Sequence, residues 1–192
     1  KNDLENDITK SYLMNLLNDI YDLGVQHVEI SWAEEPEWID LIKEIKKKPQ
    51  GKNLGIASIP HLKALKIAKE LDISYAMSPF WDPILQAEAI KMNQILIPGV
   101  FSPTEIYQAK SFGCKLIKLF PAANLGIDYL NQLKMPLRSL PFVIAAGGLK
   151  VKDLNPWLKK GYGAITVGRG LTKLKDIKES LREWENKTKV DS

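Results

Sequence analysis

Lys118 stands in the middle of Lys115-Leu-Ile-Lys-Leu-Phe-Pro121, an apolar run of the kind that forms a buried parallel strand. Alternate residues of a strand share a side, so Leu116, Lys118 and Phe120 point one way. Burying an ammonium is costly, and desolvation favours the neutral amine, the form that attacks a carbonyl to make a Schiff base. The competing reading is a strand-end lysine that reaches solvent or pairs with an acid. Glu29 holds an equivalent place in Val25-Gln-His-Val-Glu-Ile-Ser31, with His27, Glu29 and Ser31 on the interior side and Val28 and Ile30 toward the helices. A carboxylate in the same interior as the lysine could carry protons to and from a substrate, or form an ion pair without chemistry. His27, one layer below Glu29, reads as a hydrogen-bonded core or bottom-layer histidine rather than a catalyst.

Two glycine pairs follow the last two apolar runs. Gly147-Gly148 comes after Phe142-Val-Ile-Ala-Ala146, and Gly168-Arg-Gly170 after Ala164-Ile-Thr-Val167. Glycine lets backbone amides approach an anion closely, and in α/β barrels the loops after the final strands often bind phosphate. Arg169 would add a planar fork of donors. No metal is expected, because Cys114, His27 and His61 show no ligand spacing. No cofactor is expected either, since the chain lacks the glycine-rich fingerprints of dinucleotide and ATP sites.

The elements that must position these residues follow from periodicity. Seven short apolar runs, at 25–31, 53–58, 73–78, 94–99, 115–120, 141–146 and 163–168, alternate with stretches of helical period at 8–23, 35–48, 60–71, 83–92, 103–112, 124–135, 151–160 and 171–187. Helix starts are signalled by Pro60, Pro83, Ser102-Pro-Thr-Glu105 and Pro156, and helix ends by Gly24 and Gly113. With 192 residues, 45% of them hydrophobic, and no linker or low-complexity tract, the chain reads as one domain over residues 1–192. The order fits an open doubly wound sheet or a closed (β/α)8 TIM barrel, and the barrel needs one strand more. Lys1-Asn2-Asp3 reads as the loop after a strand, so the first strand is expected to be missing from this chain. A balance of 27 Lys and Arg against 23 Asp and Glu is too mild for a nucleic-acid partner. The polar start and the lack of a run of about twenty apolar residues argue against secretion and membranes. A single cysteine suits a reducing compartment, so a cytoplasmic location is expected.

Taken together, Val28-Glu-Ile-Ser31, Ser78-Pro79 with Asp82-Pro83, Ile97-Pro-Gly-Val100 with Ser102-Pro-Thr-Glu105, Leu116-Ile-Lys-Leu-Phe-Pro-Ala122, Gly147-Gly148 and Val167-Gly168 resemble one family. It is the 2-keto-3-deoxy-6-phosphogluconate / 4-hydroxy-2-oxoglutarate aldolases, and the likeness runs from about Ile8 to the end. The resemblance implies a (β/α)8 barrel, a homotrimer, and a class I aldolase that needs no metal. It makes Lys118 the Schiff-base nucleophile and Glu29 its general acid/base. It places Ser58 where a threonine contacts the substrate carboxylate and Phe120 where a phenylalanine lines the pocket. Pro98, Gly147, Gly148 and Gly168 join them as substrate-binding positions, and Arg169 is added for its charge, where the family has another residue.

The implied reaction is retro-aldol cleavage of a 2-keto-3-deoxy sugar acid to pyruvate and an aldehyde, glyceraldehyde 3-phosphate or glyoxylate. The expected partners are therefore a small keto acid and an aldehyde, with the substrate phosphorylated. Three departures bear on the phosphate: Ala33 stands where the family has an arginine, Ala146 where it has a threonine, and Arg169-Gly170 where it has Gly-Ser. Phe80-Trp81 also replaces a smaller pair at the expected mouth. These departures motivate the alternative, a non-catalytic phosphate-ligand or assembly barrel that has lost its grip on substrate.

Overall fold

Strand and helix alternate along the chain in a computed structural model that describes residues 2–22, 24–48, 53–168 and 179. The chain divides into two compact units, Lys1–Ala76 with Ala89–Ile95, and Met77–Glu88 with Leu96–Ser192.

In the first unit, α1 (Asn2–Asp22) precedes β1 (Val28–Ser31), α2 (Pro36–Lys46), β2 (Leu54–Ala57), α3 (Leu62–Glu70) and β3 (Tyr75–Met77), whose last residue begins the second unit. Pro36 opens α2 with its φ already set for a helix, Glu37 lies in the first turn, and Lys43 and Lys46 in the last. Trp38, Ile42 and Ile45 form its buried stripe. His61 caps α3, its Nδ1 accepting the Ala64 amide at 3.2 Å. Parallel pairing sets β1 to β2 as Val28↔Leu54 through Ser31↔Ala57, and β2 to β3 as Gly55↔Tyr75 and Ile56↔Ala76.

In the second unit, α4 (Pro83–Lys91), which crosses the boundary, starts where Asp82 Oδ1 accepts the amides of Ile84 and Leu85. Then come β4 (Leu96–Ile97), β5 (Gly99–Val100), α5 (Pro103–Phe112), β6 (Leu116–Leu119), α6 (Ala122–Leu125), α7 (Tyr129–Leu137), β7 (Phe142–Ala145), a 3-10 turn at Val151–Asp153, α8 (Leu154–Lys159) and β8 (Ala164–Ile165). Strands β5, β6, β7 and β8 form one parallel sheet in that order. Ser102 and Glu105 close a reciprocal capping box at the start of α5, and Gly113 ends that helix in the left-handed conformation. Ile117 and Leu119 of β6 pack with Ile106, Leu130, Leu133, Val143 and Trp157 in the apolar core.

All seven expected strand positions are strands. The fourth is broken into β4 and β5 at Pro98, which has no N–H to give to a ladder. Three expectations change. Helix α1 already includes Asn2 and Asp3, so this segment is helix rather than a loop after a strand. It is polar but holds neither Gly nor Pro to stop the helix. The helix expected at 124–135 is two pieces, α6 and α7, parted at Gly126, whose φ is +82°. His27 is exposed rather than in the core, because it precedes β1 and lies outside the paired register. The helix expected at 171–187, and Arg169 with Gly170, lie outside the described residues apart from Glu179.

Candidate active site

Lys118 owes its environment to strand alternation. Its neighbours Ile117 and Leu119, 0% and 1% exposed, point to the helices, which turns Lys118 to the opposite face of β6, where it is only 6% exposed. Its amide donates to the Pro98 carbonyl at 2.9 Å, and it lies in register between Gly99 on β5 and Ile144 on β7. The Lys118 Nζ sits 5.5 Å from the centre of the Phe120 ring, on the same face of the strand, within range of a cation–π contact.

Phe120 in turn rests on Gly147. The φ of Gly147 is +91°, and a Cβ there would come within 2.9 Å of the ring. Gly148, at φ +80°, would bring a Cβ to 2.7 Å from that of Ala123. Both glycines are thus required by conformation and by space. Ser78 ties the neighbouring turn to β5: its hydroxyl donates to the Phe80 carbonyl at 2.8 Å and accepts the Gly99 amide at 3.3 Å. Trp81 stacks edge-on against Phe112 of α5, with ring centres 5.6 Å apart, so α5 anchors it. Pro98, Lys118, Phe120 and Gly147 therefore form one cluster in the second unit. Gly168 is exposed, and Arg169 lies outside the described residues.

Glu29 and Ser58 belong to the first unit. Glu29 is half-buried on β1, and the Tyr75 hydroxyl stands 3.5 Å from its Oε1. Burial above all, with the Glu29 charge and hydrogen bond behind it, pushes the Tyr75 phenol above its ordinary range, so it stays a donor. Ser58 follows β2 with φ +60°, a left-handed conformation that a serine adopts at a cost. Beyond β1, Ala33 is flanked by Trp32 and Glu34. The Trp32 indole N–H donates to Glu34 Oε1 at 2.9 Å, and His61 Nε2 lies 3.0 Å from the same oxygen. The Trp32 hydrogen bond, with His61 adding to it, holds the Glu34 carboxyl below its usual range.

The contact of Tyr75 with Glu29 and the closeness of its ring to Gly55 were not legible in the sequence. The one available signal was a glycine inside a strand, which marks a close approach by something else.

Against these residues stand the comparisons with known proteins. The sequence model of one family, described as "Aldolase: KDPG and KHG aldolase", matches residues 7–190. The chain belongs to the KDPG and KHG aldolase family. It is 24% identical over 165 residues to the 2-dehydro-3-deoxy-6-phosphogalactonate aldolase of Escherichia coli (strain K12), covering 85% of this chain and 80% of that protein. It is 29% identical over 137 residues to the KHG/KDPG aldolase of the same organism, covering 70% and 63%. Among solved structures, the KDPG aldolase of Legionella pneumophila with pyruvate captured as a covalent carbinolamine superposes with a TM-score of 0.75 at 20% identity, covering 88% of this chain and 82% of that one.

The structural likeness shows the fold, the TIM-barrel-like α/β fold of these aldolases, in agreement with the parallel strand-helix order. Membership of the family makes the chain an aldolase in the general sense, a lyase acting on small keto acids and aldehydes. Among the described residues no group of His, Cys, Asp and Glu could hold a metal ion, and no helix is long and apolar enough to cross a membrane.

Proposed function

We propose that this chain is a class I aldolase that cleaves a 2-keto-3-deoxy sugar acid to pyruvate and an aldehyde, with Lys118 as its nucleophile. The observation that carries the reading is the burial of a lysine in mid-strand at 6% exposure, beside an aromatic ring, in a chain of an aldolase family. Desolvation in general favours the neutral amine, the form that attacks a carbonyl.

In this mechanism the Lys118 amine adds to the keto carbon, and loss of water from the carbinolamine gives the protonated imine. The electrons of the bond between the third and fourth carbons flow into that imine, leaving an enamine on Lys118. Glu29 takes the proton of the fourth-carbon hydroxyl as the aldehyde departs, and returns a proton to the enamine carbon. Hydrolysis then frees pyruvate and the amine. Ser58 is the proposed contact for the substrate carboxylate, and Pro98 and Phe120 line the pocket.

The amides of Gly147, Gly148 and Gly168, with Arg169, are the proposed grip on the far end of the substrate. Ala33 and Ala146 carry no side-chain donor, and next to Ala33 stands the Glu34 carboxylate. This loop would repel a phosphate rather than bind it, which favours an unphosphorylated substrate unless Arg169 supplies the charge. The test of the central claim is covalent trapping. Incubation with pyruvate and borohydride should fix pyruvate on Lys118 in a digest read by mass spectrometry, and Lys118→Arg should give neither adduct nor turnover, because arginine stays charged. An adduct on another lysine, or wild-type turnover in Lys118→Arg, would refute it.

A further inference from the structure

Glu29, Gly55 and Tyr75 lie in register on three adjacent parallel strands, Glu29 opposite Gly55 and Gly55 opposite Tyr75. Residues so aligned share one face of the sheet. A Cβ on Gly55 would meet the Tyr75 ring at 2.4 Å, so the ring occupies the space that a side chain at position 55 would fill. Lying across that slot, it brings its hydroxyl to 3.5 Å from Glu29 Oε1. The slot itself does not call for a hydroxyl, since phenylalanine would fill the same volume.

We propose that the Tyr75 hydroxyl is a positioning group for Glu29, steering its carboxylate and favouring its ionised form, with Gly55 as the clearance that lets it reach. The inference rests on the reading of Glu29 as proton carrier. Among the described residues, the titratable groups beside Tyr75 include His27, whose ring centre lies 5.9 Å from that of Tyr75, and Tyr21 of α1, whose hydroxyl is buried and raises the Tyr75 phenol slightly. Replacing Tyr75 by phenylalanine removes one oxygen and keeps the ring.

The test uses the half-reaction that needs only pyruvate: exchange of its methyl protons for deuterium in heavy water, followed by NMR. This exchange requires the imine on Lys118 and a base to move the proton. A donor to a carboxylate lowers its pKa, so Tyr75→Phe should move the acid limb of the exchange rate upward by about half to one pH unit. On that limb the rate should fall about three- to tenfold. Half-saturation by pyruvate and borohydride trapping on Lys118 should stay as in the wild type. In a Glu29→Gln background the same substitution should change nothing, because there is no carboxylate left to steer.

An unshifted profile in Tyr75→Phe, with Glu29→Gln slow, overturns the role of Tyr75 and leaves that of Glu29 standing. An equal loss in both backgrounds marks a packing role and also overturns it. Wild-type exchange in Glu29→Gln removes the reading of Glu29 and this inference with it.

Discussion

Replacing Gly147 by alanine imposes two separable penalties. The first is conformational: at φ +91° an L-residue pays roughly 1–2 kcal/mol for its left-handed backbone. The second is steric, since the new Cβ would stand 2.9 Å from the Phe120 ring, and forcing a methyl into a filled site costs about 1–3 kcal/mol. Gly113→Ala provides the control. Its φ is +100°, but nothing lies within 4 Å of a Cβ there, so it carries the first penalty alone. For a chain of this size each kcal/mol lowers Tm by roughly 2–4 °C. Gly147→Ala at about 3 kcal/mol should therefore melt roughly 6–12 °C below the wild type, and Gly113→Ala at about 1.5 kcal/mol roughly 3–6 °C below it. Calorimetry gives both values. Because the displaced ring is the one beside Lys118 Nζ, borohydride trapping of pyruvate should also drop in Gly147→Ala and hold in Gly113→Ala. Equal melting losses in the two variants, or full trapping in Gly147→Ala, would refute the claim that Gly147 is there to seat Phe120.

Glu29→Gln should slow cleavage by about a hundredfold or more while pyruvate trapping survives, since a general acid/base group typically contributes 10² to 10⁴. Steady-state kinetics checks this, and a loss under about twofold would clear Glu29 of the role. Arg169→Ala should weaken a phosphorylated substrate by about ten- to a hundredfold and leave its unphosphorylated analogue alone. Equal effects on both would show that the residue does not read phosphate. Burial pushes the Cys114 thiol from 9.0 up to about 11, so at pH 8 the folded chain should alkylate about a hundredfold more slowly than the chain in denaturant. The sign also fixes a stability trend. The folded state holds its proton longer than the unfolded one, so this contribution is whole below pH 9 and is lost as pH rises toward 11. Alkylation rates followed by mass spectrometry, and Tm across that range, measure the two.

The sequence alone determined what depends on short-range pattern. Alternation of apolar runs with helical period located seven strands, and the period of two put Lys118 on the face opposite Ile117 and Leu119. The cap at Ser102, with Glu105 in the first turn, and the helix end at Gly113 were legible for the same reason: their partners sit within four residues. The tertiary structure decided the rest, because strand register is fixed by packing between segments distant in the chain. Tyr75 and Glu29 are 46 residues apart, and neither residue alone announces that a glycine on the intervening strand opens the space between them. Gly147 could be read as a turn, but the Phe120 ring that forbids it a side chain comes from another strand. The contact of His61 with Glu34, 27 residues apart, likewise arises only when distant segments are brought together. Local propensity selects the elements, and the free energy of burying their faces selects which residues meet.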